Sequence, residues 1–317
     1  MSTLVADLKF GVRMLLATPR VTAAALLSLA LGIGATAAIF TVVNAVILRP
    51  LAFVEPSRLV AVWETSADND RRWVAPANFL DWRRDARSFT QLAAYDWYSV
   101  NLTGRRPSRA DGALRPGLAG ASAAADERPE RLRAGSVSGN FFSTLGVSAA
   151  LGRTFTSAHD APGSEPAVML AHGAWQRLFG GNPNALGTTL MIDSRPHTLI
   201  GVLPQSFDFL GPDLEVITSG DRGIPNSFPI PTDLTQVRDS HVIYVVGRLA
   251  PSASVEQAQA EMTTIMRGLE RTYPQTNTGL GARVVPLHED VVAESRTALL
   301  LLLGSVGFLL LIACVNV

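Results

Sequence analysis

Two long apolar stretches without a charged side chain stand near the two ends of the sequence. The first runs from Val21 to Leu48, and the second runs from Ala298 to Val317. A helix rises about 1.5 Å per residue and the hydrocarbon core of a bilayer is about 30 Å thick, so about 20 apolar residues are enough to cross it. Both stretches are therefore predicted to be transmembrane helices.

The first stretch also has some features of a secretory signal peptide. Ala35-Thr36-Ala37 resembles a cleavage site, and basic residues precede the stretch. The apolar run continues past that site to Leu48, however, whereas the apolar region of a signal peptide is usually about 7–15 residues long. We therefore favour a retained anchor. More basic residues flank its N-terminal side than its C-terminal side, which favours a cytoplasmic N-terminus and an extracytoplasmic region between the two stretches.

The first 20 residues have a pattern of their own. Leucine and valine recur at helical spacing up to Leu15, and Thr18-Pro19 then ends the pattern. We interpret residues 1–20 as a cytoplasmic amphipathic segment that lies on the membrane surface. The alternative is a few additional turns of the first transmembrane helix, which runs over residues 21–48.

Residues 49–297 show short apolar runs separated by turn residues, which is typical of a mixed α+β domain. The pattern predicts strands over Leu59–Glu64, Leu132–Val137, Ala167–Ala171, Thr188–Ile192, His197–Val202, Val242–Leu249 and Arg283–Leu287. It predicts helices over Ala75–Tyr95, Gly139–Leu145, Gly173–Phe179 and Ser254–Tyr273. In the first of these helices, Phe89, Leu92 and Tyr95 recur at steps of three and predict a buried aromatic face. Residues 104–130 are rich in Gly, Ala, Ser, Pro and Arg, which predicts a flexible insertion.

Small residues recur along the first transmembrane helix. Ala30, Gly34 and Ala38 are spaced four residues apart. Such a stripe allows a second helix to approach closely, and close packing is what drives helix association in lipid. The stripe is therefore predicted to pack against another helix, although an alanine-rich helix also produces such a pattern by chance.

The composition narrows the function classes. The formal net charge is zero, so no overall attraction to nucleic acid is expected. The single cysteine, Cys314, excludes an internal disulfide and a cysteine-based metal site. The sequence contains no phosphate-binding loop, no zinc-protease motif and no nucleophile elbow. We therefore predict no catalytic residues, no cofactor, no metal and no enzymatic activity, and membrane lipid is the first expected partner.

Several segments resemble one bacterial family. The run from Gly32 to Leu51 resembles the first membrane helix of MacB/FtsX-like ABC transporter permeases, in particular the acidobacterial duplicated orphan permeases. Val137-Ser138-Gly139-Asn140-Phe141-Phe142 and Ile200-Gly201-Val202-Leu203-Pro204 resemble the MacB-type periplasmic core domain, here assigned to residues 49–297. Residues 298–317 resemble the start of the FtsX-type membrane domain.

The resemblance implies a non-catalytic permease subunit in the bacterial cytoplasmic membrane, with several membrane passes and a large extracytoplasmic domain. Such permeases work with a separate cytoplasmic ATPase, with further permease helices or with a second permease copy, in export or mechanotransmission. Because the resemblance stops inside the second membrane helix, the chain is expected to be a fragment or a truncated product. Two other functions stay open: a membrane-tethered sensor or binding module, and a membrane-anchored enzyme.

Overall fold

The computed structural model describes residues 10, 13, 16, 17, 19–106, 129–211, 213–225 and 233–316. Most of the amphipathic segment predicted over residues 1–20 and most of the insertion predicted over residues 104–130 lie outside the described residues. The chain divides into two compact units. We call residues 1–51 together with 289–317 the helical unit, and residues 52–288 the sheet unit.

The secondary structure alternates short helices and strands between two long helices. The helices are α1 (Pro19–Val43), α2 (Pro76–Asp85), α3 (Phe141–Leu145), α4 (His172–Phe179), α5 (Val255–Thr272), α6 (Pro274–Asn277) and α7 (Leu287–Asn316). The strands are β1 (Leu59–Thr65), β2 (Phe89–Arg106), β3 (Glu130–Val137), β4 (Leu151–Gly152), β5 (Ala167–Leu170), β6 (Thr189–Ile192), β7 (Arg195–Val202), β8 (Val216–Ser219), β9 (Tyr244–Leu249) and β10 (Gly281–Pro286).

The helical unit contains the two apolar segments. α1 continues into one turn of π-helix over Asn44–Leu48, which Arg49 closes by donating its N–H to the Asn44 carbonyl oxygen at 3.0 Å. Two helical segments are long and apolar enough to cross a membrane, over Thr22–Leu48 and Ser295–Val315. These segments coincide with the two transmembrane helices predicted from the sequence.

One half of the sheet unit is an antiparallel sheet covered by helices. Strands β10, β1, β9 and β2 pair in that order. The apolar face of α5 and the aromatic residues of α2 pack on this sheet, and Phe79 and Trp82 are fully buried among valines of β1 and β9. α5 begins with a capping box, in which Ser254 and Gln257 bond each other's backbone N–H groups at 2.9 and 3.2 Å.

The other half of the sheet unit is a closed ring of six strands. β2 pairs with β3, and the ring continues through β8, β5, β7 and β6 back to β2. A ring of this size is filled by its own side chains. Its interior is the second apolar core, which includes Val100, Leu132, Leu170, Leu190 and Leu199. The long strand β2 belongs to both halves and joins them, so the α+β class predicted from the sequence is confirmed.

A side chain of α5 covers the outer edge of the sheet. β10 is the terminal strand, and β1 is its paired neighbour. Gln259 Nε2 donates to the Ala282 carbonyl oxygen at 2.8 Å, and Gln259 Oε1 accepts from the Val284 N–H at 2.8 Å. The amide of Gln259 therefore bonds the edge as the backbone of a further strand would do.

The helix predicted over Ala75–Tyr95 is too long. α2 ends at Asp85, and Phe89 begins β2. A β-bulge between Phe89 and Gln91 inserts one extra residue, so Phe89 and Leu92 share a face despite a spacing of three. Tyr95 lies on the opposite face, where it contacts Phe141. Because of the extra residue in the bulge, two residues three positions apart are buried on one face, which is also the spacing of a helix. The predicted insertion is also shorter at its ends, because 104–106 continue β2 and Glu130 begins β3.

Candidate functional site

The predicted helix-packing residues Ala30, Gly34 and Ala38 lie exposed on α1. A Cβ atom built on Gly34 has no neighbour within 4 Å among the described residues. A different face of α1, which includes Gly32, is partly buried. A Cβ atom built on Gly32 would lie 3.1 Å from Leu310 Cδ1 of α7. The stripe therefore faces away from this contact, and its packing against another helix stays a prediction.

Replacing Gly34 with leucine tests that prediction. The variant is expected to insert normally, because leucine favours the bilayer, but to lose assembly with further membrane helices, because the bulky side chain prevents close approach. The measurement is membrane insertion and co-purification with partner subunits, with Ala35→Leu on a neighbouring exposed position of α1 as the control. Equal assembly of both variants and the unmodified chain would show that the stripe faces lipid.

An aromatic patch lies on one face of the sheet, and we call it the aromatic face: Trp63, Trp73, Trp97 and Tyr244. Three of these side chains come from the adjacent strands β1, β9 and β2. Tyr244 stands directly opposite Tyr95 of β2, and Trp97 follows two residues later on the same side of that strand. The register of the sheet thus brings together residues that are far apart in the sequence.

The rings of the aromatic face contact one another. Trp97 stacks on Tyr244 with centroids 4.5 Å apart and 15° between the ring planes. Trp73 and Trp63 pack against the same tyrosine at 5.3 and 5.7 Å. Nevertheless, Trp73 and Trp97 remain 47% and 46% exposed. Large aromatic side chains that stay exposed together on a domain surface typically mark an interaction site.

A cleft of about 510 Å³ opens beside Trp97. It is lined by Trp97, Tyr98, Ser99, Arg133, Ala134, Phe209, Leu210, Gly211 and Leu214. Gly135, which pairs with Trp97 across β2 and β3, makes room for one wall, because a Cβ atom there would lie 3.0 Å from Leu210 Cδ1. Phe209 fixes that wall by an edge-on contact with Tyr95 at 5.4 Å. The volume lies in the range of small-ligand sites.

The cleft has little net charge. Arg133 is its charged lining residue, and Arg133 Nη1 lies 3.1 Å from Asp213 Oδ2. Burial raises the pKa of Tyr98, and burial together with the charge of Asp96 raises the pKa of Tyr244. Both phenols therefore stay protonated and uncharged near neutral pH. The walls offer aromatic and aliphatic surface, and the polar groups offer hydrogen bonds without an excess of one charge.

Titratable groups elsewhere in the sheet unit serve local structure. His159 Nδ1 accepts from the Thr156 N–H at 3.1 Å within a capped turn. Burial raises the pKa of Asp160, whose carboxylate accepts from the Gly139 N–H at 2.7 Å. Across the described ranges, no three His, Cys, Asp or Glu side chains are grouped so as to hold a metal ion. The absence of catalysis stays a prediction.

One protein family matches most of the chain, and solved domains are similar to it in structure. The family model described as the MacB-like periplasmic core domain matches residues 22–265. The periplasmic region of MacB from Actinobacillus actinomycetemcomitans is similar in structure, with 13% identity, a TM-score of 0.46, and coverage of 76% of this chain and 94% of that one. The extracellular domain of the noncanonic ABC-type transporter YknZ from Gram-positive bacteria gives 13% identity, a TM-score of 0.41, and coverage of 72% and 99%. No curated protein matches the chain.

Proposed function

Because the chain belongs to the MacB-like periplasmic core domain family, within the ABC-type permeases and transporters, we propose that it is the permease subunit of an ABC-type system. It is a membrane-anchored protein with an extracytoplasmic domain, the sheet unit. We further propose that it sits in the bacterial cytoplasmic membrane as a multi-pass protein and works with a separate cytoplasmic ATPase. In that role it contributes to export or to mechanotransmission and does not hydrolyse nucleotide itself.

The observation that carries the proposal is the form of α7. This helix runs without a break from Leu287, at the end of β10, through the apolar span Ser295–Val315 to Asn316. The interior of a continuous helix is hydrogen-bonded from each N–H to the carbonyl four residues earlier, and we propose that α7 transmits motion through this bonded backbone. By contrast, α1 ends in an irregular link over residues 49–55. In the proposed role, nucleotide-driven motion would pass to the outer domain along this unbroken helix.

The test is to break α7 outside the apolar span. The tagged chain is purified from the membranes of its own cells, and an ABC-type ATPase is expected to co-purify. The electron paramagnetic resonance spectrum of a spin label in the sheet unit is then expected to shift upon addition of ATP and vanadate. Ala293→Pro removes a helical hydrogen bond and is expected to abolish this shift while insertion and assembly persist; Ala293→Ser is the matched control. A chain that recruits no ATPase, or a proline variant that responds fully, contradicts the proposal and favours a tethered sensor.

The predicted topology can be measured independently. Ser157 is exposed in the sheet unit, and a cysteine at this position is expected to react with a membrane-impermeant maleimide in intact cells. The background is Cys314→Ser, because Cys314 is the chain's single native cysteine. Reaction only after lysis would place the sheet unit in the cytoplasm and reverse the orientation that the flanking charges predict.

A further inference from the structure

The cleft beside the aromatic face presents a fixed aromatic wall. Tyr244 covers one side of the Trp97 indole at 4.5 Å, and the indole still lines the cleft with 46% of the residue exposed. The stacking holds the ring in place before any ligand arrives, so little side-chain entropy is lost on binding. An aromatic ring has a negative face, which attracts the slightly positive C–H groups of a flat ligand.

Residues beside Trp97, on the same face of β2 and on the paired strand β3, supply hydrogen bonds. Ser99 contributes a hydroxyl group, and Arg133 contributes a planar fork of donors. Asp213 lies 3.1 Å from Arg133 and adds carboxylate acceptors at the rim, where both side chains are about 70% exposed. Donors and acceptors side by side match a ligand whose own hydroxyl groups both donate and accept. Because the two charges offset each other, the rim does not select an ionic ligand.

These features together describe one chemical class. A hydrocarbon would displace the water that bonds Ser99 and the free donors of Arg133 without replacing those hydrogen bonds, which costs free energy. An anion would compete with Asp213 for the guanidinium group. A pyranose ring has a C–H face for Trp97 and hydroxyl groups at its edge for the rim. We propose that the cleft binds a short segment of an uncharged glycan, with one sugar ring stacked on Trp97. This inference is independent of the proposed role in transport.

The experiment is a titration of the full chain, in lipid nanodiscs free of glycolipid, with chitotriose and with cellotriose. Both probes are uncharged trisaccharides, and they differ in their N-acetyl groups. At least one is expected to saturate with a dissociation constant of about 1 mM or below by calorimetry. Trp97→Ala is expected to weaken binding about fivefold, which corresponds to a stacking energy of about 1 kcal/mol.

Trp73→Ala is the matched control. Trp73 is 47% exposed and also packs on Tyr244, but it is not part of the cleft lining. Its replacement is expected to leave sugar affinity within about twofold. Arg133→Ala removes an exposed rim group whose salt bridge with Asp213 contributes little to stability. It should weaken binding about threefold or more, which tests the site should Trp97→Ala fail to fold. The proposal is overturned if neither sugar saturates, if all three variants bind alike, or if a proline-rich peptide binds and neither sugar does.

Discussion

Replacing Asn78 with leucine is expected to lower the free energy of unfolding by about 3–5 kcal/mol, although the two side chains are similar in size. Asn78 is fully buried in α2 and holds three polar partners. Its Nδ2 donates to Glu64 Oε1 at 2.7 Å, and its Oδ1 accepts from Arg238 at 2.7 Å and from Asn277 at 3.0 Å. Leucine cannot form these hydrogen bonds, so Glu64, Arg238 and Asn277 would each lose one partner inside the protein.

The partners of Asn78 explain the size of the effect. Glu64 is fully buried, and its second carboxylate oxygen lies 2.5 Å from His241 Nδ1. Arg238 also pairs with the buried Asp81, Nη2 to Oδ2 at 2.7 Å, and lies over the Tyr273 ring at 3.6 Å. A buried charge that loses a hydrogen bond costs more free energy than an exposed one, because water cannot replace the partner.

The measurement is urea unfolding of the chain in detergent, followed by intrinsic tryptophan fluorescence, to which the fully buried Trp82 of α2 contributes. Asn182→Leu is the matched control. Asn182 is exposed, and its side chain accepts one bond, from the Asn184 N–H at 2.9 Å, so its loss should cost about 1 kcal/mol. Equal costs for the two variants would mean that the network contributes little to stability.

Replacing Gly201 with alanine is the second substitution with a large expected effect, about 3 kcal/mol. A Cβ atom on Gly201 would lie 2.3 Å from the Arg153 carbonyl oxygen, which is much closer than any real contact. Gly152 faces Gly201 in the pairing of β4 with β7, and a Cβ atom there would lie 2.3 Å from the Ile200 carbonyl oxygen. The atoms that would clash are backbone carbonyl oxygens, so the clash can be removed only if the strands themselves move.

Gly173→Ala provides the comparison. Gly173 lies in α4, and a Cβ atom there meets nothing within 4 Å in the described part of the chain. Alanine is the better helix former, so this variant should be as stable as the unmodified chain or more stable by up to about 1 kcal/mol. Unfolding is followed by intrinsic tryptophan fluorescence, to which Trp175, packed against the core of the six-stranded ring, contributes. A Gly201→Ala variant as stable as Gly173→Ala would contradict the close approach of β4 and β7.

Local signals were enough to predict most elements of the sheet unit. The helices α3, α4 and α5 and the strands β6 and β7 lie where the sequence predicts them. Each helix is bounded by a signal from neighbouring residues, which is Gly146, Gly180 or the capping box at Ser254. The family motif around Gly201 also has a physical reason, because a side chain there would collide with the backbone of a neighbouring strand. The predicted length of α2 is wrong, because a bulge at the start of β2 gives that strand a burial spacing of three residues.

Features that depend on strand order could not be predicted. Trp63, Trp97 and Tyr244 meet because β9 inserts between β1 and β2, and nothing in the local pattern gives that order. Likewise, Asn78 and Asn277 are adjacent only after α2 and α6 are placed in the fold. The candidate site was therefore absent from the predictions, which contained only the stripe at Gly34. Exposed tryptophans in strands are a usable signal, but only once the exposed face is known.

The amide of Gln259 at the edge of β10 affects how densely this protein can be packed in a membrane without aggregating. Anchored chains diffuse in two dimensions and meet often, and an open strand edge would let each neighbour add a strand and begin an aggregate. Gln259 already bonds the Ala282 carbonyl and the Val284 N–H, so a strand added there would have to displace this side chain. Crowding in the bilayer can therefore raise the collision rate between sheet units without seeding fibrils from this edge.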